Sequence, residues 1–357
     1  MPVSRDITAI SIPFSAGVMS AAYLSLGESS LHIAASLLCA ALFLCLVFVC
    51  FKTRNLLPEI VCYFFLGALV CLTARASFPT KGWTWQLPQQ TLSGLVTRIE
   101  SIDFDNRNIS ALAQALLTGD RSGLSDEITS AFRESGASHI LALSGLHMSV
   151  IYGLLATLLS CMGHSRIATL IRSCAAIVLC GFYTLATGGS PSVVRAFLFI
   201  TLNEISRISK GRERRPLNIF CAALMIQLCF NPLTVKSIGF QLSYLAMLGI
   251  YLLFPVLDSW CPSTWWKPLR KLWSLSALSI SCQLFTAPLA WIYFRSFPAY
   301  FLITNLIALP LTEAFITLSI ISLTLDGFGI CPDIIKNLTT VCGQILIESI
   351  KTIASIS

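Results

Sequence analysis

The stretch ASHILALSGLHMSVIYGLL, residues 137–155, decides how this chain is interpreted. It is apolar enough to lie in a membrane, yet it holds His139, Ser144, Gly145 and His147. On one continuous helix with about 100° between residues, His139, His147 and Ser144 fall at about 0°, 80° and 140°, on the same side. Polar side chains avoid lipid, so we expect this side to meet other helices or a polar cavity.

The composition places the whole chain in a membrane. Hydrophobic residues make up 55% of it and charged residues only 11%, whereas a soluble domain carries roughly a quarter charged residues. Several apolar runs reach the roughly 18 to 20 residues that cross a hydrocarbon core. We therefore predict an all-α polytopic membrane protein with about eleven transmembrane helices. The predicted spans lie near residues 7–26, 31–51, 56–74, 137–160, 168–189, 191–206, 217–231, 236–257, 272–294, 299–324 and 333–354.

A polar segment, residues 75–135, separates the third predicted span from the fourth. Alternation in TLSGLVTRIESIDF, residues 91–104, predicts one or two short strands. ISALAQALLTGDRSGLSDEITSAFRESG, residues 109–136, predicts two amphipathic helices joined by a turn at TGDRSG, the second beginning at Ser125. A short amphipathic helix just before a span is typical of the membrane interface.

Lysine and arginine residues predict the orientation, because they concentrate in cytoplasmic loops. With the N-terminus and Arg5 inside, four basic loops fall on the cytoplasmic side. They hold Lys52 and Arg54; Arg166 and Arg172; RISKGRERR at residues 207–215; and Lys267, Arg270 and Lys271. The 75–135 segment and the C-terminus are then external.

A second set of polar residues lies in GGSPSVVRAFLFITLNEIS, residues 188–206. Ser190 is positioned as an N-cap with Pro191 at the first helical residue, after a tight glycine turn. Ser192 falls within about 60° of Arg195 on this helix. Arg195 either extends to the outer interface, as long basic side chains do, or faces inward as a buried cation. The polar neighbours on its face favour the inward position.

Two later spans carry further polar residues. Gln241 lies in SIGFQLSYLAMLGI, residues 237–250, and Asn305 and Glu313 lie in TNLIALPLTEAF, residues 304–315. A carboxylate near the middle of a span costs at least roughly 2.5 kcal/mol, so Glu313 should be paired or face water. Arg195 is a candidate partner for it.

Ser144 and His147 also raise the alternative of an intramembrane nucleophile and base, as in rhomboid proteases. Those enzymes have a G-x-S-G sequence, whereas Ala142 stands at the first glycine here. A dyad also needs a base directed at the serine and an oxyanion hole. His139 and His147 have no nearby acidic or cysteine ligand to complete a metal site. We therefore expect no catalytic residue, no metal and no cofactor. Plain hydrogen bonding between helices remains an alternative to a polar path.

Four blocks of the sequence resemble, in the same order, those of the ComEC competence family of membrane DNA-uptake proteins. They are ALLTGDRSGLSDEITSAFRESGASHILALSGLHMSVIYGLL (115–155), GGSPSVVRAF (188–197), NPLTVKSIGFQLSYLAMLGI (231–250) and TAPLAWIYFRSFPAYFLITNLIALP (286–310). The resemblance implies a channel in the bacterial inner membrane through which one DNA strand enters the cytoplasm. It implies single-stranded DNA as cargo and membrane lipid as surroundings, with separate DNA receptor, nuclease and motor proteins. The sequence does not decide whether the chain forms a homo-oligomer.

The resemblance also predicts the domain organisation. Family members carry an external OB-type domain after the first helices and a metallo-β-lactamase-like domain after the last. Residues 78–108 are too few for an OB barrel and leave at most a remnant with Trp83 and Trp85, and no HxHxDH motif or phosphate loop occurs. We predict a three-helix membrane segment (1–74), an external linker or reduced OB remnant (75–110), a competence-type channel domain (111–325) and a C-terminal membrane helix (326–357).

The sequence therefore predicts a channel protein rather than an enzyme. Its polar path is predicted to be lined by His139, Ser144, Gly145, His147, Ser190, Ser192, Arg195, Gln241, Asn305 and Glu313. A transporter of a small solute on the same scaffold, and an intramembrane serine hydrolase, are the alternative functions.

Overall fold

The computed structural model describes residues 7–24, 29–53, 56–77, 94, 96–99, 102, 104, 106–163, 165–208, 215–262, 264–295 and 300–356. The helices are α1 (Thr8–Tyr23), α2 (Ser29–Thr53), α3 (Leu56–Ser77), α4 (Arg107–Thr118), α5 (Asp126–Glu134), α6 (Ser138–Leu141), α7 (Gly145–Leu158), α8 (Arg166–Ala186), α9 (Pro191–Ile208), α10 (Pro216–Phe230), α11 (Ile238–Leu252), α12 (Phe254–Ser259), α13 (Lys267–Phe294), α14 (Phe301–Gly327) and α15 (Asp333–Ala354). Short 3-10 helices, Leu159–Met162 and Pro232–Lys236, follow α7 and α10.

The all-α class is confirmed, since the described residues form helices and turns without a strand. The strands predicted in residues 91–104 are wrong for the described part, where residues 96–99 are helical. Their apolar spacing instead buries Ile99, Ile102 and Phe104 in a hydrophobic core. Trp83, Trp85 and residues 209–214 of the basic loop lie outside the described residues.

Six helices among the described residues are long and apolar enough to cross a membrane. They are Leu57–Arg75, Gly145–Met162, Arg166–Ala186, Ile238–Ser259, Lys267–Phe294 and Phe301–Gly327. The predicted count of about eleven is therefore not supported. Apolar stretches such as α1 and α10 form helices of only 16 and 15 residues, and α9 and α15 contain several charged side chains.

The chain divides into two compact units. The first comprises Met1–Thr84 and Leu198–Gln241, and the second comprises Trp85–Phe197 and Leu242–Ser357. In the first unit α3 packs against both α1 and α2, and α10 packs against α1. Helices α1 and α3 approach so closely that a Cβ on Gly17 or Gly67 would collide with the facing backbone of Phe64 or Phe14. Glycine at both positions permits this contact.

The second unit has a hydrophobic core between short helices and long ones. Helices α4, α5 and α6 bury Leu112, Phe132 and Ile140, which join Phe315 of α14 and Leu346 of α15. The predicted helix–turn–helix of residues 109–136 is confirmed, and Ser125 caps α5 by accepting a hydrogen bond from the backbone N–H of Ile128 at 3.3 Å. The expectation that α5 lies on the membrane interface is not supported, because its apolar face packs into this core.

Polar contacts add to the packing of the long helices onto this core. The Tyr183 hydroxyl of α8 donates to the backbone oxygen of Leu117 at 3.0 Å. The Thr304 hydroxyl of α14 donates to the backbone oxygen of Ser135 at 2.8 Å. The beginning of α7, described below, lies within the same unit.

The stretch at residues 137–155 is not one continuous helix. Helix α6 ends at Leu141, Ala142 and Ser144 have extended backbone, and α7 begins at Gly145. The helical angles that placed His139, Ser144 and His147 on one side therefore do not apply. The chain breaks here because Ser144 provides an N-cap, which requires a non-helical backbone conformation.

Candidate functional site

Ser144 and His147 together cap the beginning of α7. The Ser144 hydroxyl oxygen accepts a hydrogen bond from the backbone N–H of Leu146 at 3.3 Å. The Ser144 backbone N–H donates to Nδ1 of His147 at 3.2 Å, completing a capping box in which histidine takes the usual place of glutamate or glutamine. The Ser144 hydroxyl oxygen also lies 3.0 Å from the same Nδ1.

His147 is buried with only 1% of its surface exposed. Because Nδ1 accepts a hydrogen bond from the Ser144 backbone, a neutral ring carries its proton on Nε2. This Nε2 is buried and has no hydrogen-bond partner among the described residues. A buried polar atom without a partner is unfavourable for stability.

Arg195 of α9 lies beside this cap and is 8% exposed. Its Nη1 donates to the backbone oxygen of Ser243 in α11. Its guanidinium carbon lies 6.0 Å from the centre of the Tyr244 ring, at the limit of a cation–π contact. Within the described part of the chain, neither of the ion pairs that the structure shows includes Arg195.

Gly145, the first residue of α7, directly faces Arg195. A Cβ on Gly145 would lie 3.2 Å from Nη2 of Arg195 and 3.7 Å from Cβ of Ala196. The guanidinium thus approaches the N-terminal end of a 14-residue helix, where the partial charge is also positive. We call Ser144, Gly145, His147, Arg195 and Tyr244 the polar cluster. Its arrangement suits the binding of an anion.

His139, Ser190 and Ser192 lie outside the polar cluster but within the same unit. His139 is exposed on α6, with Nδ1 3.1 Å from the backbone oxygen of Gly136. Gly188 and Gly189, with φ of 75° and 62°, confirm the predicted glycine turn before α9. Ser190 precedes α9, but its hydroxyl oxygen is buried without a hydrogen-bond partner among the described residues. Ser192 is half-buried in the first turn of α9.

Gln241 belongs to the first unit. Its side-chain amide nitrogen donates to the backbone oxygen of Val235 and to the Tyr23 hydroxyl, each at 2.8 Å. These contacts join the beginning of α11 to the preceding 3-10 helix and to the end of α1. The amide nitrogen of Gln241 is therefore hydrogen-bonded within the first unit.

Asn305 and Glu313 both lie on α14. The side-chain oxygen of Asn305 is buried without a hydrogen-bond partner among the described residues, whereas Glu313 is exposed. The suggested ion pair between Glu313 and Arg195 is not formed, because the Arg195 guanidinium contacts Ser243 and Tyr244 instead.

The sequence did not identify Ser243 as a partner of Arg195. Its contribution is a backbone oxygen inside α11, and a backbone group gives no signal in the sequence. Tyr244 was not among the predicted site residues either. Its aromatic side chain and its burial, at 7% exposed, were the available signals for a contact with a buried cation.

The contact between Ser144 and His147 satisfies only the first requirement of a hydrolytic dyad. The histidine nitrogen nearest the hydroxyl also accepts the Ser144 backbone N–H, and the opposite nitrogen has no acceptor to orient the ring among the described residues. Among these residues there is also no group of three or more His, Cys, Asp or Glu side chains that could hold a metal ion. The contact is accounted for by helix capping.

Comparisons with known proteins point to one family. A family model described as Competence protein matches residues 116–357. ComE operon protein 3 of Bacillus subtilis (strain 168) is 29% identical over 204 residues, which cover 56% of this chain and 24% of that protein. Uncharacterized protein YcaI of Escherichia coli (strain K12) is 28% identical over 249 residues, covering 66% of this chain and 31% of that protein. The matched part is thus at most about a third of each relative's length. No solved structure matches the chain.

Proposed function

This chain belongs to the competence protein family, and we propose that it is a channel protein that moves single-stranded DNA across the bacterial inner membrane into the cytoplasm during natural transformation. The observation that carries the proposal is Arg195, a buried cation for which the described residues supply no carboxylate partner. The description of the matching family model, Competence protein, agrees with a role in competence.

The physical argument concerns the cost of a buried charge. A charged side chain within a membrane is unfavourable, and such residues usually pair with an opposite charge or face an aqueous path. Arg195 has a carbonyl oxygen and an aromatic ring nearby, neither of which neutralises it. Single-stranded DNA carries one negative phosphate per nucleotide and is bound through cations and aromatic rings. A strand passing Arg195 would supply the missing negative charge.

The proposal includes the topology and partners. The chain is a multi-pass inner-membrane protein with a cytoplasmic N-terminus, and with the 75–135 segment and the C-terminus external. A DNA receptor, a nuclease and a motor are separate proteins that act with it. Membrane lipid surrounds it, and whether several copies assemble is to be measured on the purified protein.

The proposal is tested by strand uptake in a strain whose own copy is deleted. Complementation with Arg195→Glu should abolish entry of labelled DNA into the cytoplasm, because it replaces the cation by an anion that repels phosphate. Arg133→Glu makes the same change at an exposed position of α5 and should leave uptake intact. Both variants must be present in the membrane at the wild-type level. Uptake that persists in the deletion strain contradicts the proposal.

The Ser144–His147 contact is the one observation that favours a second candidate, a serine hydrolase. We propose that the chain is not an enzyme, because the contact serves to cap α7. Labelling of Ser144 by a fluorophosphonate probe, absent in Ser144→Ala, would establish the hydrolase instead. Flux of a small solute through reconstituted vesicles that exclude nucleotides would favour a solute transporter.

A further inference from the structure

The polar cluster contains more than a single buried cation. We infer that the N-terminus of α7 and Arg195 form a binding site for one phosphate group, such as a phosphodiester of a passing strand. The identity of the molecule that carries this phosphate rests on the proposed function. The site itself is argued from the geometry of Gly145, Ser144 and Arg195.

The first observation is the free donor at the beginning of α7. The first backbone N–H groups of a helix have no partner within the helix. The Ser144 hydroxyl accepts the N–H of Leu146, whereas the N–H of Gly145 has no acceptor among the described residues. Donors at this end of a helix, together with the helix dipole, form a recurrent binding site for phosphate and other oxyanions.

The second observation is the position of the buried guanidinium. Nη2 of Arg195 lies against Gly145, so two positive groups, the helix end and the guanidinium, are held next to each other. Like charges in a poorly hydrated environment repel, and a guanidinium is normally favoured at the opposite end of a helix. An oxyanion bound between the helix end and the guanidinium would be attracted by both and would offset their mutual repulsion. Nη2 has no acceptor among the described residues, since the contact with Ser243 uses Nη1.

Gly145 permits the close approach of the guanidinium to the helix. A Cβ at this position would meet Nη2 at 3.2 Å and crowd the guanidinium. Glycine therefore allows the guanidinium to lie close beside the N-terminal end of α7. The donors suit the oxygens of a phosphate group rather than a base edge, so binding should not depend on nucleotide sequence.

Inorganic phosphate is a direct probe of this site. The purified full chain in detergent is titrated with sodium phosphate, against sodium chloride at equal ionic strength, and its Tm is measured. Wild type should gain about 2 to 4 °C at phosphate concentrations well above Kd. Arg195→Gln and Gly145→Ala should lose this gain, and Arg133→Gln, an exposed control, should keep it. Arg195→Lys retains the charge without the planar fork and should show a smaller gain.

Two results would overturn the site. Equal phosphate-dependent gains in wild type, Arg195→Gln and Gly145→Ala would mean that phosphate acts elsewhere, and the absence of any gain in wild type would mean that it does not bind. Because Gly145→Ala could fail to fold, the Arg195 variants decide the outcome alone in that case. A phosphate gain that depends on Arg195, in a protein whose deletion leaves strand uptake intact, would refute the proposed function and support the site. If the deletion abolishes strand uptake but phosphate does not raise the Tm of wild type, the proposed function is supported and the phosphate site is refuted.

Discussion

Two parts of the second unit bury side chains of opposite character. The core between α4, α5, α14 and α15 encloses apolar groups such as Leu112, Phe132 and Phe315, each with less than 1% of its surface exposed. The polar cluster at the beginning of α7 also buries Arg195 and His147, which are 8% and 1% exposed. In the core each buried group gains from leaving water. Within the described part of the chain, the cluster holds a charge without a counter-charge and a nitrogen without a hydrogen-bond partner.

This difference indicates which part stabilises the unit and which part is unfavourable for its stability. Burial of apolar surface contributes roughly 25 cal/mol per Å² to folding. Burial of an unneutralised cation opposes folding. A region retained at the expense of stability is a candidate ligand site, and the four predictions below test this contrast from the largest expected loss of stability to the smallest.

The largest effect should come from the core. Phe132→Ala removes a fully buried ring and should lower the free energy of unfolding by about 3 to 5 kcal/mol, through lost burial and a cavity. Phe182→Ala makes the same change on α8, where the ring is 55% exposed, and should cost far less. Thermal unfolding of both proteins in detergent measures the difference. Equal losses would show that the core is not the stabilising part.

A medium effect is expected at the cap of the polar cluster. Ser144→Ala removes the acceptor of the Leu146 N–H and should cost about 1 kcal/mol. Ser149→Ala is a control on the same helix, since this exposed serine only donates to the backbone oxygen of Leu146. Ser144→Thr should retain most of the stability. If Ser144→Ala unfolds like the control, the capping box contributes nothing to folding.

A smaller, pH-dependent effect is expected in the turn between α4 and α5. Hydrogen bonds from the backbone and side chain of Ser122, and from the Gln114 amide, hold the pKa of the Asp120 carboxyl below its usual value. The contribution of Asp120 is therefore complete above the unfolded-state pKa of about 4 and is lost as the pH falls through the folded-state pKa. Tm measured from pH 6 down to about pH 3 should fall less steeply for Asp120→Asn than for wild type. Parallel curves for Asp120→Asn and wild type would refute the assignment.

The smallest loss of stability should come from removal of the buried cation. Arg195→Gln replaces an unneutralised charge by a neutral amide. The amide keeps a hydrogen-bond donor on the side chain that contacts the backbone oxygen of Ser243 in wild type. Its Tm in the absence of phosphate should be equal to that of wild type or higher, because the unfavourable burial of charge is removed. A large fall in Tm would mean that Arg195 stabilises the fold, and the contrast between core and polar cluster would then fail.

Local features of the sequence predicted much of the fold. The helix–turn–helix of residues 109–136, its cap at Ser125 and the glycine turn before Pro191 all follow from short-range preferences of the residues concerned. The strands predicted at residues 91–104 were wrong for the described part of that stretch, and the count of about eleven spans is not supported. Apolar spacing alone does not distinguish a strand from a chain segment buried in a core, nor a spanning helix from a shorter packed one.

The candidate site was predicted only in part. Arg195 was correctly placed facing inward, but the partner suggested for it was Glu313, which is exposed. His139 and His147 were placed on one helix, whereas the chain breaks between them. The residue type alone does not show whether a serine caps a helix or lies inside one. The cap at Ser144 was therefore not predicted.

The sequence by itself determined that this is an all-α membrane protein of the competence family, because composition, apolar runs and ordered blocks are properties of the chain alone. Only the tertiary structure decided what surrounds each polar residue. The contact of Arg195 with Ser243, and its approach to Gly145, join residues about 50 positions apart in the chain through the packing of α7, α9 and α11. Such contacts depend on where helices cross, and no local preference of the residues encodes that position.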